Sequence, residues 1–94
     1  MKPSERYAWI EEYLHGKLVG ESVDVLDKHF FDAYIEATGA KCSIMIYGAD
    51  KCQQLGRDLS GMHKMGRLTR HATGLEGMAG MGFPRWVYVY RLPR

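Results

Sequence analysis

With 94 residues, 46% of them hydrophobic and 26% charged, the chain has the length of one domain and an ordinary globular composition. No apolar run approaches the roughly 20 residues of a membrane-spanning helix, and two cysteines do not make a disulfide framework. The net charge of +2 hides a split, with five Lys/Arg against eight Asp/Glu in residues 1–48 and eight against three in residues 49–94, so the second half is the one suited to a polyanion.

The start, Met1-Lys2-Pro3-Ser4-Glu5-Arg6, is followed by Glu11 and Glu12 and has no apolar signal region. A reduced, cytoplasmic chain outside the membrane is the expectation. Membrane proteins, secreted mini-proteins and large-domain enzymes are disfavoured.

Ser4 to His15 reads as a helix, with Tyr7, Ile10 and Leu14 at helical spacing, Ser4 as a cap and Gly16 as a stop. Trp9 and Tyr13, four apart, widen its apolar face and offer an edge for a second copy of the chain. After a loop at Lys17–Glu21, a second helix is predicted over about Val23 to Thr38. Its stripe is Val23, Leu26, Phe30, Ala33 and Ala37, its cap Ser22 or Asp24, and its left-handed terminator Gly39. Residues 40–47 fit either a short strand or a two-turn helix, because a run of eight does not discriminate.

A third helix is predicted from a cap at Asp50, with Gln53 three residues on, to about Met65, ending at Gly66. Cys52, Leu55, Leu59 and Met62 form its apolar stripe. Arg67 to His71 reads as a strand, residues 72–84 as a glycine-rich loop, and Arg85 to Leu92 as the strongest strand in the chain. On that last strand Trp86, Tyr88, Tyr90 and Leu92 share one face, for which core packing is favoured over a base-stacking platform.

The side of the third helix opposite its stripe carries Gln53, Gln54, Arg57, Ser60, Gly61 and Lys64, with no large apolar residue. A polar outer face is ordinary for a solvated amphipathic helix. Yet Arg suits the guanine edge and Gln the adenine edge in a major groove wide enough for a helix, and Gly61 lets a neighbouring surface come close.

Leu55-x-x-x-Leu59-x-x-Met62-x-x-x-Gly66-x-Leu68-x-Arg70, followed by Trp86-x-Tyr88-x-Tyr90-x-Leu92, resembles the winged helix-turn-helix family of small bacterial and phage DNA-binding regulators. The resemblance covers about residues 40–92. It implies an α+β winged helix, with three to four helices and a C-terminal β-hairpin wing, as a single domain over residues 1–94. The N-terminal helix and loop would occupy 1–21 and the helical core 22–66, with the helix-turn-helix at about 40–65. The wing would occupy 67–92. In the family a small strand commonly separates the first two helices, whereas here the strand-like run 42–47 stands where the second helix is due.

The implied partner is double-stranded DNA. A recognition helix at about 50–65 would enter the major groove, with the wing 72–84 on the backbone or minor groove. By the same resemblance, Gln53, Gln54, Arg57 and Ser60 would face bases, and Lys51 and Lys64 would face phosphates. Arg67, Arg70, His71 and Arg85 would flank the wing on the backbone, and Arg91 and Arg94 would be solvated charges. A small footprint would call for a dimer, with Trp9 and Tyr13 as its surface. The alternative is a protein–protein interaction module built on a winged helix without DNA contact.

Catalytic and cofactor chemistry is not signalled. Cys42, Cys52, His63 and His71 have spacings that match neither zinc knuckles nor fingers, and Cys52 belongs to the apolar stripe. No activating motif surrounds either cysteine, and the glycine-rich loop does not lead from a strand into a helix, so it is no phosphate cradle. The expectation is a transcriptional regulator without enzymatic activity, metal or cofactor.

Overall fold

The computed structural model describes residues 1–17, 21–43, 51–75 and 85–93. Proline fits the first turn of a helix, where its missing N–H costs nothing, and Pro3 opens the first one, α1 (Pro3–His15). The predicted cap at Ser4 gives way to one at Lys2, whose N–H donates to the Glu5 carboxylate at 2.9 Å. Ile10 and Leu14 are the residues that α1 buries. The loop expected after it, including Gly20, lies partly outside the described residues.

The second helix, α2 (Lys28–Thr38), starts later than the predicted Val23. Two aspartates and one strand residue explain the delay. Val23 exchanges backbone hydrogen bonds with Tyr90 at 2.9 and 2.8 Å, which commits it to an extended pairing. The Asp24 carboxylate accepts the Leu26 N–H at 2.7 Å, holding a turn, and Asp27 supplies the cap by accepting the Phe30 N–H at 3.1 Å. Neither Ser22 nor Asp24 caps the helix. Gly39 ends α2 in the left-handed region at φ 68°, as its position predicts.

Ser43 and Lys51 pair antiparallel through both backbone hydrogen bonds, at 2.7 and 2.9 Å. At the first end of the helix-turn-helix expected at about 40–65, these flanks are therefore extended rather than helical. Residues 44–50, including the second half of the ambiguous run 40–47 and the predicted cap Asp50, lie outside the described residues. The third helix, α3 (Gln53–Lys64), has Cys52 at its cap position, and Leu55, Asp58, Leu59 and Met62 are the residues it buries. Gly66, at φ 76°, lets the chain reverse after it, and the Arg67 N–H returns to the Met62 carbonyl at 2.8 Å.

Two strands follow, β1 (Thr69–Gly74) and β2 (Trp86–Arg91), paired antiparallel in a register that sets Thr69 against Arg91 and Gly74 against Trp86. β1 starts two residues after the predicted Arg67 and runs three past His71, and residues 76–84 of the expected wing lie outside the described residues. Through Val23, β2 also holds the segment between α1 and α2. The structure is thus a small α+β domain of three helices and a two-stranded antiparallel hairpin among the described residues.

One core joins the three helices and β2. Ile10 and Leu14 meet Phe30, Phe31 and Tyr34 from α2, Leu55, Leu59 and Met62 from α3, and Val23, Leu68 and Tyr90 from the sheet side. Full burial of each large apolar side chain contributes about 1.5–3 kcal/mol. Trp9 stacks on Tyr13 at 5.5 Å and on Phe30 at 6.2 Å, and the Tyr13 ring meets Phe30 at a tilt, 5.1 Å between centroids. The wide apolar edge of α1 is therefore largely spent within the chain. No helix among the described residues is long and apolar enough to cross a membrane.

Candidate nucleic-acid interface

The stripe of α3 fixes what the helix presents outward. Gln53, Gly56, Arg57, Ser60, Gly61 and Lys64 line a shallow depression along its outer side. Arg57 and Lys64, with Gln53, are exposed, and Ser60 is half-buried. At the N-terminal end of α3 a second concavity opens against the segment after α2, with Lys41, Ser43, Lys51, Gln53 and Arg57 among its lining. The described residues of both concavities include no acid. Lys41, Lys51, Arg57 and Lys64 form no ion pair among the described residues.

Other predicted contacts are placed differently. Gln54 turns sideways, its Nε2 donating to the Tyr34 hydroxyl at 3.0 Å, so its amide is engaged inside the fold. Arg67 donates to the Glu11 carboxylate and lies over the Tyr7 ring, 5.4 Å from its centroid. That cation is neutralised by the chain itself. Gly61 permits the close approach its lack of a side chain suggests, but the neighbour is Tyr7 of α1. Gly56, by contrast, has nothing within 4 Å of where a Cβ would stand.

On the hairpin, the Arg70 guanidinium sits 4.0 Å from the centroid of the Tyr88 ring, a contact worth about 0.5–1 kcal/mol. His71 is exposed opposite Val89, and Arg85 is exposed with its carbonyl accepting the Leu75 N–H at 2.8 Å. The aromatic face of β2 is graded. Tyr90 is buried in the core, Tyr88 is half-buried, and Trp86 is 50% exposed, with successive ring centroids 6.3 and 4.7 Å apart. Core packing thus accounts for Tyr90 and leaves Trp86 at the outer end. Arg91 is half-buried, and Arg94 lies outside the described residues.

Beneath the polar face lies a network that periodicity does not announce. Asp58, only 2% exposed, falls on the same arc of α3 as Leu55 and Met62. Its carboxylate accepts from Arg6 Nε at 2.8 Å and Nη2 at 3.1 Å, and from the Tyr34 hydroxyl at 2.6 Å. With Gln54 added, one carboxylate ties α1, α2 and α3 together. Burial foremost, then the hydrogen bond donated to Asp58, pushes the Tyr34 phenol above its ordinary value. The hydrogen bond to Asp58 likewise holds the Arg6 guanidinium above its own. Every buried side-chain nitrogen and oxygen among the described residues has a partner.

Lys41 is an addition to the predicted set. Its only sequence signal is that it is a cation shortly after a helix terminator. Cys42 and Cys52 are free thiols, and the His63 Nδ1 lies 3.2 Å from the Leu68 carbonyl oxygen. Among the described residues no three His, Cys, Asp or Glu side chains are gathered as metal ligands would be.

What this arrangement offers chemically is a cationic, hydrogen-bonding rod on a rigid base, suited to recognition. No family model, curated protein or solved structure matches the chain.

Proposed function

We propose that this chain is a winged-helix domain that binds double-stranded DNA, with α3 in the major groove and the wing segment 72–84 on the backbone or minor groove. The observation that carries the reading is the outward side of α3. Gln53, Arg57 and Ser60 stand there with Lys64 at one end and Lys41 and Lys51 at the other, on a surface without described acids. Arg57 and Gln53 supply donors for base edges, and the lysines supply phosphate contacts. In this reading Arg70, His71 and Arg85 of the hairpin contact the DNA backbone. The element order supports the fold half of the proposal. A short extended segment at Val23 sits between α1 and α2 and pairs with β2, the place where the family commonly has its small strand.

A regulator of transcription is the role that such a domain serves. Dimerisation along the outer edge of α1, where Trp9 and Tyr13 keep partial exposure, would double the footprint.

The test is a fluorescence-anisotropy titration of labelled duplexes with the purified chain. With about four phosphate contacts, affinity falls roughly a hundredfold between about 50 and 200 mM salt. Absence of binding to any duplex at the lower salt overturns the DNA reading and leaves the interaction-module alternative.

A further inference from the structure

Cys42 and Cys52 are the chain's two cysteines, and both are free thiols. Cys42 is exposed and Cys52 is half-buried at the cap of α3. Between them, Ser43 and Lys51 form an antiparallel pair that exchanges both backbone hydrogen bonds. One step outward along both chains from that pair lands on Cys42 and Cys52. In an antiparallel ladder the pair next to a doubly bonded pair is a non-hydrogen-bonded one. Its Cα atoms come to about 4.5 Å and its side chains leave the same face. A disulfide spans Cα separations of about 4.4–6.8 Å, a range that includes the spacing of such a pair. The backbone of Cys52 is itself extended, at φ −135° and ψ 105°, as a position beside such a pair requires.

We propose that Cys42 and Cys52 form a dithiol site that oxidises to an intramolecular disulfide across the neck of segment 43–51. The oxidant is a low-molecular-weight disulfide. The Cys42 sulfur, the more accessible of the two, attacks one sulfur of that disulfide, forming a mixed disulfide and expelling one small thiol. The Cys52 sulfur then attacks the Cys42 sulfur and expels the second. Two protein thiols and one small disulfide become one protein disulfide and two small thiols, so two electrons and two protons pass to the oxidant. Nothing in this step requires the chain to bind DNA.

The test holds reduced protein with oxidised glutathione, quenches it in acid, unfolds it, alkylates it with N-ethylmaleimide and weighs it intact. The expected product is a monomer that has lost two hydrogen atoms and carries neither glutathione nor maleimide. Cys42→Ser and Cys52→Ser should each carry a single glutathione instead. Ring closure should run about tenfold or more faster in native buffer than in urea, because the pairing raises the effective concentration of one sulfur at the other. The oxidised monomer should melt about 5 °C or more above the reduced one. Four results overturn the proposal. They are glutathione retained on both cysteines of the folded chain, intermolecular dimers as the main product, equal closure rates with and without urea, and a lower Tm on oxidation.

Discussion

The phenol oxygen of Tyr7 lies 2.8 Å from the point where a Cβ on Gly61 would stand, so α1 and α3 approach where α3 has no side chain. Gly61→Ala should destabilise the protein by about 1 kcal/mol, the clash outweighing alanine's better helix propensity. In a Tyr7→Phe background the next nearest atom is 3.7 Å away, an ordinary contact, and the same substitution should stabilise. Urea unfolding of the four proteins of that cycle checks the sign change.

The Asp58 carboxylate is the shared acceptor of Arg6 and Tyr34. Asp58→Ala leaves both donors facing a buried gap and should cost about 3 kcal/mol, well above the effect of an ordinary surface substitution. Chemical denaturation measures it. A loss under about 1 kcal/mol would mean that water substitutes for the carboxylate.

Alkaline pH acts through Tyr34. Its folded value is raised above the ordinary 10.0, so the folded state holds the phenolic proton more tightly than the unfolded chain does. The stability this provides is complete below about pH 10 and declines as pH rises beyond that value. Tyr34→Phe should flatten this part of the decline. Urea unfolding at pH 9 and pH 11, roughly either side of the ordinary tyrosine value, compares the two proteins.

Two arginines on the cationic half separate binding from scaffolding. Arg57→Ala should weaken duplex binding by about 1–3 kcal/mol and relax discrimination between sequences, with unfolding nearly unchanged. Lys64→Ala should weaken all duplexes alike and lower the salt slope by about 1. Arg67→Ala removes a partly exposed pair with Glu11, so it should cost about 1 kcal/mol or less of stability and leave DNA affinity nearly as it was. Anisotropy and unfolding curves on the three variants test the assignment. Equal losses of affinity at Arg57 and Arg67 would contradict it.

Much of the layout is legible in the residues themselves. Leu55, Leu59 and Met62 recur at helical spacing and are buried, Gly39 and Gly66 adopt the left-handed conformation that ends a helix, and the Trp86–Arg91 run is a strand. What escaped depends on partners far along the chain. A single pair, Val23 with Tyr90, has no periodicity to betray it, yet it moves the start of α2. Asp58 lies within an apolar arc, and only Arg6 and Tyr34 on other helices make its burial tolerable. The outward side of α3 follows from its stripe. The diversion of Gln54 to Tyr34 and of Arg67 to Glu11 does not, because each is a tertiary contact between separate elements.

The clasp between Val23 and Tyr90 also constrains how the chain acquires its shape during synthesis. The backbone groups of Val23 have no sheet partner until β2 has been made and has left the ribosome, so the sheet cannot close before the chain through Tyr90 has emerged. α1 and α2 meanwhile wait with part of their apolar surface uncovered. A stall or truncation upstream of Tyr90 would release a nascent chain with helices already formed but no strand to hold them, a substrate for chaperones and proteases rather than a smaller working domain.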